Sequence, residues 1–113
     1  REVDHVIQKG ADYVMLPFFQ CLDEVKSFHA LVKGRVKTIL LVETDGAVNA
    51  LETIINNSPP DEIHIGLNDL SICLGQENFF SLFLDGTVES IAARLRSCKI
   101  PFGIGGVAAL SRA

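Results

Sequence analysis

The chain has 113 residues, 48 % of them hydrophobic, and a formal net charge of −4. That length supports one compact domain with a real core, and the acidic balance argues against a nucleic-acid or anionic-membrane partner, whose electrostatic footprint is basic. No apolar run approaches the roughly 20 residues of a membrane span, and the opening Arg1, Glu2, Val3 and Asp4 lack the apolar core of a secretory signal.

In chain order, residues 2–9 have the pattern of a helix end, with Lys9-Gly10 as its stop. Asp12 to Leu16 reads as a short buried strand closed by Pro17. Leu22, Val25, Phe28, Leu31 and Val32 recur at helical spacing between Cys21 and Lys33, and Gly34 follows. Val36 to Val42 is a strand with β-branched residues at Val36, Thr38, Ile39 and Val42. Thr44 to Asn57 reads as a helix with Ala47, Val48, Ala50, Leu51, Ile54 and Ile55 on its apolar side, stopped by Ser58-Pro59-Pro60. Glu62 to Gly66 is the next strand, followed by a polar loop at Asn68-Asp69 and one helical turn from Ser71 to Leu74. Residues 86–99 form a further helix, with Asp85 or Thr87 as its cap and Val88, Ile91, Ala92 and Leu95 inward. Phe102 to Ile104 is the last strand, running into Gly105-Gly106.

Such alternation of strand and helix implies right-handed crossovers and a parallel α/β sheet. Two architectures fit it: an open doubly wound sheet, or about four βα units of a partial (β/α)8 TIM barrel. The length alone favours the first, because a complete barrel takes about 250 residues. With no linker or low-complexity stretch, residues 1–113 read as a single domain. Cys21, Cys73 and Cys98 are widely spaced and form no CxxC or Cys/His zinc pattern, so reduced thiols of a soluble cytoplasmic protein are expected.

In either architecture, ligands bind at the C-terminal ends of the parallel strands. Two of those ends carry a carboxylate: Glu43 directly after Ile39-Leu40-Leu41-Val42, and Asp69 after Gly66-Leu67-Asn68. Read singly, each has a plain structural use. Glu43 suits a surface charge, a helix N-terminal charge or a salt bridge, and Asp69 suits an N-cap. Read together, consecutive strand ends lie about 5 Å apart in a parallel sheet, and two close carboxylates repel unless a proton or cation sits between them. Oxygen-only ligation suits Mg²⁺, with Mn²⁺ or Co²⁺ as alternatives, and two protein ligands leave positions open for water and substrate. Gly66 permits close backbone approach, and the amides of Asn68 and Asp69 at a helix opening can receive a carboxylate.

At these residues the chain resembles the HpcH/HpaI aldolase and citrate lyase β family, within the phosphoenolpyruvate/pyruvate barrel superfamily. The stretches that carry the resemblance are GADYVMLP (residues 10–17), LLVET (40–44), AVNALETII (47–55) and IGLNDLSICLG (65–75), with FGIGG (102–106) a weaker echo. The resemblance implies that Glu43 and Asp69 bind a divalent metal (Mg, Mn or Co), and that Gly66, Asn68 and Asp69 hold the carboxylate of a small oxo-acid substrate. It implies a metal-dependent carbon–carbon lyase, a class II type aldolase acting on pyruvate-derived 2-oxo or hydroxy acids through a metal-stabilised enolate. Some aldolases of the family carry Gln two positions before the metal-binding Glu, where this chain has Leu41; that departure is closer to a citrate lyase-like acyl-CoA lyase. A phosphoenolpyruvate-binding domain of a phosphotransfer enzyme and an inactive metal-binding fragment are the remaining alternatives.

The family's catalytic Arg and His match no residue here, so the chain is expected to be an incomplete piece, its strands the fourth to seventh of a barrel, inactive alone and homo-oligomeric through exposed strand edges. His64, between Ile63 and Ile65, is expected to make a hydrogen bond between strand and helix rather than to serve as a third metal ligand, and His5 and His29 are expected to be solvated. Gly103 to Gly106 read as glycines of a tight strand exit rather than a phosphate cradle, and Phe79, Phe80, Phe83, Leu82 and Leu84 as an apolar cluster packing a loop or an oligomer contact.

Overall fold

The computed structural model describes residues 2–75 and 80–105. Helix α1 (Glu2–Gln8) leads into β1 (Tyr13–Leu16), then α2 (Leu22–Val32), β2 (Lys37–Val42), α3 (Asp45–Asn57) and β3 (Glu62–Gly66). Three helices follow, α4 (Leu67–Cys73), α5 (Phe80–Leu84) and α6 (Thr87–Ser97), before β4 (Phe102–Gly105). The strands form one parallel sheet in the order β1-β2-β3-β4.

That order decides between the two expected architectures. A doubly wound sheet reverses its strand order at a switch point, which sends helices to both faces. Here each new strand is added on the same side of the last, so crossovers of one hand leave the helices on one face, as in an arc of a barrel. Burial agrees. Val14, Leu40, Val42, Ile63 and Ile65 share the covered face through the register Leu40↔Ile63 and Val42↔Ile65, and all are buried. On the opposite face, Tyr13 is 55 % and Met15 38 % exposed, and Lys37, Glu62 and His64 are open to solvent to differing degrees. Among the described strand residues of that face only Ile39 is buried, at 5 % exposure, and it stands outside the main core.

The helices cover the sheet with residues at helical spacing. Helix α3 buries Ala47, Leu51, Ile54 and Ile55, and its N-cap Thr44 accepts from the Ala47 N–H at 3.0 Å. Val25, Phe28 and Val32 do the same for α2, and Val88, Ile91, Ala92 and Leu95 for α6. Each fully buried Leu or Ile contributes about 1.5–3 kcal/mol relative to exposure, which lets short helices of modest propensity form. Among the described residues, no helix is long and apolar enough to cross a membrane.

Four expectations are corrected. Asn68 and Asp69 do not form a loop: α4 starts directly after β3, with Gly66 as N-cap, because Leu67 and Leu70 both reach the core when the chain coils at once. Asp69 is therefore a first-turn residue and not the cap. The apolar cluster contains a helix, α5, in which Leu82 is buried while Phe83 and Leu84 are exposed; Phe79 lies outside the described residues, as does Gly106. His29 is half-buried rather than solvated, its Nδ1 2.7 Å from Ser58 Oγ, because the end of α3 packs beside α2. His64 also differs. It lies on the open face, not between strand and helix, with Nε2 3.6 Å from Glu62 Oε1.

Candidate metal centre

The C-terminal edge of the sheet brings the two sequence-predicted carboxylates together. Glu43 is the first residue past β2, only 3 % exposed, and on the open-face side of the strand pattern. Gly66 ends β3 beside it: a Cβ built there would lie 3.3 Å from both the Cβ and Oε1 of Glu43. Such a contact is tighter than ordinary packing, so glycine is what lets the Glu43 carboxylate occupy this corner. Because α4 coils immediately after Gly66, Asp69 turns back toward Glu43, near enough to act on its proton affinity.

The electrostatics of the pair are unfavourable as they stand. Burial pushes the Glu43 carboxyl up from the ordinary carboxylate range, the Phe18 N–H opposes this by donating to Oε2 at 2.9 Å, and the neighbouring Asp69 pushes it up further. No ion pair to Glu43 or Asp69 forms among the described residues. Two carboxylates converging beside a glycine, with no cationic side chain paired to either among the described residues, are a donor set that a hard divalent cation fits. The third protein ligand is absent: no group of three or more His, Cys, Asp or Glu side chains able to hold a metal occurs among the described residues. His64 is two residues earlier on β3 and engaged with Glu62, while Gly103 lies against its ring, 3.5 Å from Nε2 to a built Cβ.

Neighbouring groups support the site in ways that the sequence pattern did not reveal. Phe18 adopts a left-handed backbone, φ 54°, at a cost of about 1–2 kcal/mol, and its N–H donates to Glu43. The signal present in the sequence was Pro17, which ends the strand but does not predict where the next amide points. Thr44 Oγ1 donates to the Phe19 carbonyl at 2.7 Å, and the Asp45 N–H donates to Cys73 Sγ at 3.2 Å, tying α4 to the exit of β2. Asn68 and Asp69 are both exposed, with first-turn amides that have no partner within the helix.

A HpcH/HpaI aldolase/citrate lyase family protein from Burkholderia cenocepacia J2315 matches this structure with a TM-score of 0.75 at 17 % identity, over 97 % of this chain and 56 % of that one. The fold is that of the aldolase/citrate lyase TIM barrels. RipC from Yersinia pestis matches with a TM-score of 0.67 at 20 % identity, over 91 % of this chain and 49 % of the other. The chain thus spans about half the length of each, and at these identities the likeness is one of fold. No protein-family model matches the chain, and no curated protein matches it by sequence.

Proposed function

We propose that this chain carries the metal- and carboxylate-binding part of a carbon–carbon lyase of the HpcH/HpaI aldolase type, acting on pyruvate-derived 2-oxo or hydroxy acids. The observation that carries the reading is the convergence of Asp69 on the buried Glu43 beside Gly66, on a sheet whose solved neighbours include a protein of that family.

Glu43 and Asp69 would hold a Mg²⁺, Mn²⁺ or Co²⁺ ion, which supplies charge to offset the oxyanion that develops on a 2-oxo group while a carbon–carbon bond breaks or forms. The first-turn amides of Asn68 and Asp69 receive the substrate carboxylate, and Gly66 leaves room for it beside Glu43. Burial of Glu43 excludes water from one side of the pair and raises the gain from neutralising it. Proton transfer needs an acid–base group that none of these residues provides.

Leu41 favours a second reading, an acyl-CoA lyase of the citrate lyase type. Its Cδ1 lies 3.6 Å from the Cβ position of Gly66, so the floor beside the carboxylates is apolar where a Gln would supply an amide.

Calorimetric titration of Mg²⁺ or Mn²⁺, with and without pyruvate or oxalate, tests the site. Binding that is strengthened by the oxo-acid and lost in Glu43→Ala and Asp69→Ala supports it. Affinity unchanged in both variants refutes it.

A further inference from the structure

The loop after β1 and the exit of β2 are fastened by three separate contacts. The Phe18 N–H donates to Glu43 Oε2 at 2.9 Å. Thr44 Oγ1 donates to the Phe19 carbonyl at 2.7 Å while accepting from the Ala47 N–H at 3.0 Å. Gly46, in the first turn of α3, lies so close to the loop that a Cβ there would stand 2.7 Å from the Gln20 carbonyl oxygen and 2.8 Å from its Cβ. Phe19, fully buried, anchors the loop between these points, and Gln20 N–H donates to Glu24 Oε1 at 3.1 Å.

This arrangement is more than the packing of a turn. Phe18 keeps a left-handed backbone although its side chain is 61 % exposed and gains little burial there. The left-handed torsion lets the chain pass in one residue from an amide held on Glu43 to the buried anchor at Phe19. That N–H takes one oxygen of Glu43, and the other oxygen is the one that stands by Gly66.

We propose that this clasp commits Oε2 of Glu43 to the Phe18 amide, so that Glu43 binds the metal through Oε1 alone, with Thr44 and Gly46 as positioning residues that never touch the ion. The proposal rests on the metal site proposed above. It assigns a role to Gly46 that is independent of any glycine torsion: the residue is small because the loop that orients the ligand must pass against it. Partners that orient a ligand without touching the metal are worth about 10–100-fold in metal affinity.

The test uses Mn²⁺ affinity by electron paramagnetic resonance, together with infrared carboxylate stretches of ¹³C-glutamate-labelled protein, with Glu43→Gln identifying the band. A widely separated pair of asymmetric and symmetric stretches on Mn²⁺ binding is expected in the wild type, the signature of one-oxygen ligation. Gly46→Ala and Thr44→Val are expected to weaken Mn²⁺ about tenfold, while Thr44→Ser and Phe18→Gly, which keep the hydroxyl and the amide, retain wild-type affinity. Comparing Thr44→Val with Thr44→Ser separates orientation from a general loss of structure, and should Thr44→Val fail to fold, the wild-type stretches and Phe18→Gly still decide. A closely spaced, two-oxygen pair of stretches in the wild type overturns the proposal, as does unchanged affinity in Gly46→Ala and Thr44→Val. If Mn²⁺ binds and Glu43→Gln abolishes it, those results discard the clasp and leave the metal site standing; absence of Mn²⁺ binding in the wild type discards both.

Discussion

The two ends of the sheet treat their carboxylates in opposite ways. At the N-terminal end, Asp61 accepts from the Thr38 N–H at 2.8 Å and lies 3.4 Å from its hydroxyl, and Asp4 pairs with Arg35 at 2.7 Å. At the C-terminal end, Glu43 is buried beside Asp69, the Phe18 amide donates to one of its oxygens, and both burial and Asp69 raise its proton affinity. A carboxylate that is satisfied stabilises the fold, whereas a crowded, half-satisfied pair costs stability, a cost that a cation would relieve on the function proposed above. This division matches the general rule that barrels keep chemistry at the C-terminal ends of their strands and stability at the other.

If the comparison holds, variants at the two ends will have separable effects. The largest is expected at Glu43: Glu43→Gln should weaken Mg²⁺ or Mn²⁺ binding by at least about 100-fold, since even partners outside the ligand set are worth about 10–100-fold. The same change should raise the melting temperature of the metal-free protein at pH 7. Its sign follows from the direction of the shift. The folded-state pKa of Glu43 lies above the unfolded one, so the contribution to stability is present at low pH and is lost as pH rises through the folded value. A lower melting temperature for Glu43→Gln would show that the carboxylate is already compensated, and the contrast between the ends would collapse.

Next in size is Asp61→Ala. Thr38 is 7 % exposed, and leaving its N–H unsatisfied should cost about 1–3 kcal/mol in urea unfolding without altering metal affinity. A parallel loss of metal binding would mean that the ends are coupled.

Proton dependence should divide in the same manner. Metal affinity should begin to fall, on acidification, at a higher pH than for an ordinary carboxylate, because protons compete for the raised Glu43. Fold stability should decline from pH 6.5 downward through His29: burial lowers its pKa against the opposing charge of Asp61, so the unfolded chain takes up the proton first. Among the described residues its buried Nε2 has no partner to receive a second N–H, and denaturation at pH 7.5 and 5.5 should show the loss in wild type and a flatter profile in His29→Asn. The smallest effect belongs to the exposed Arg96–Glu89 pair, 3.5 Å apart, where Arg96→Ala should change stability by less than about 1 kcal/mol.

The repeating pattern made the strands legible: Glu62 to Gly66 needed no correction, and Val36 to Val42 only one residue. Long periodic helices were equally readable, since Leu51, Ile54 and Ile55 announce both the helix and its inward side. What escaped was determined by contacts rather than by periodicity. Nothing local distinguishes Asn68-Asp69 in a loop from the same pair in a first helical turn; burial of Leu67 and Leu70 decides it. Helix α5 is too short for its period to show, and the half-buried setting of His29 depends on Ser58, 29 positions away. Glu43 and Asp69 could be picked out as strand-end carboxylates, but the Phe18 amide could not, because a left-handed phenylalanine is dictated by what it must reach.

The open face of the sheet has a practical consequence. The chain contains one tyrosine and no tryptophan, and that tyrosine is Tyr13, 55 % exposed on the uncovered side of β1. Its near-ultraviolet emission therefore comes from a single reporter on the uncovered face of the sheet. Acrylamide should quench Tyr13 freely while that face is bare and lose access once it is covered, so any docking there can be followed without adding a label.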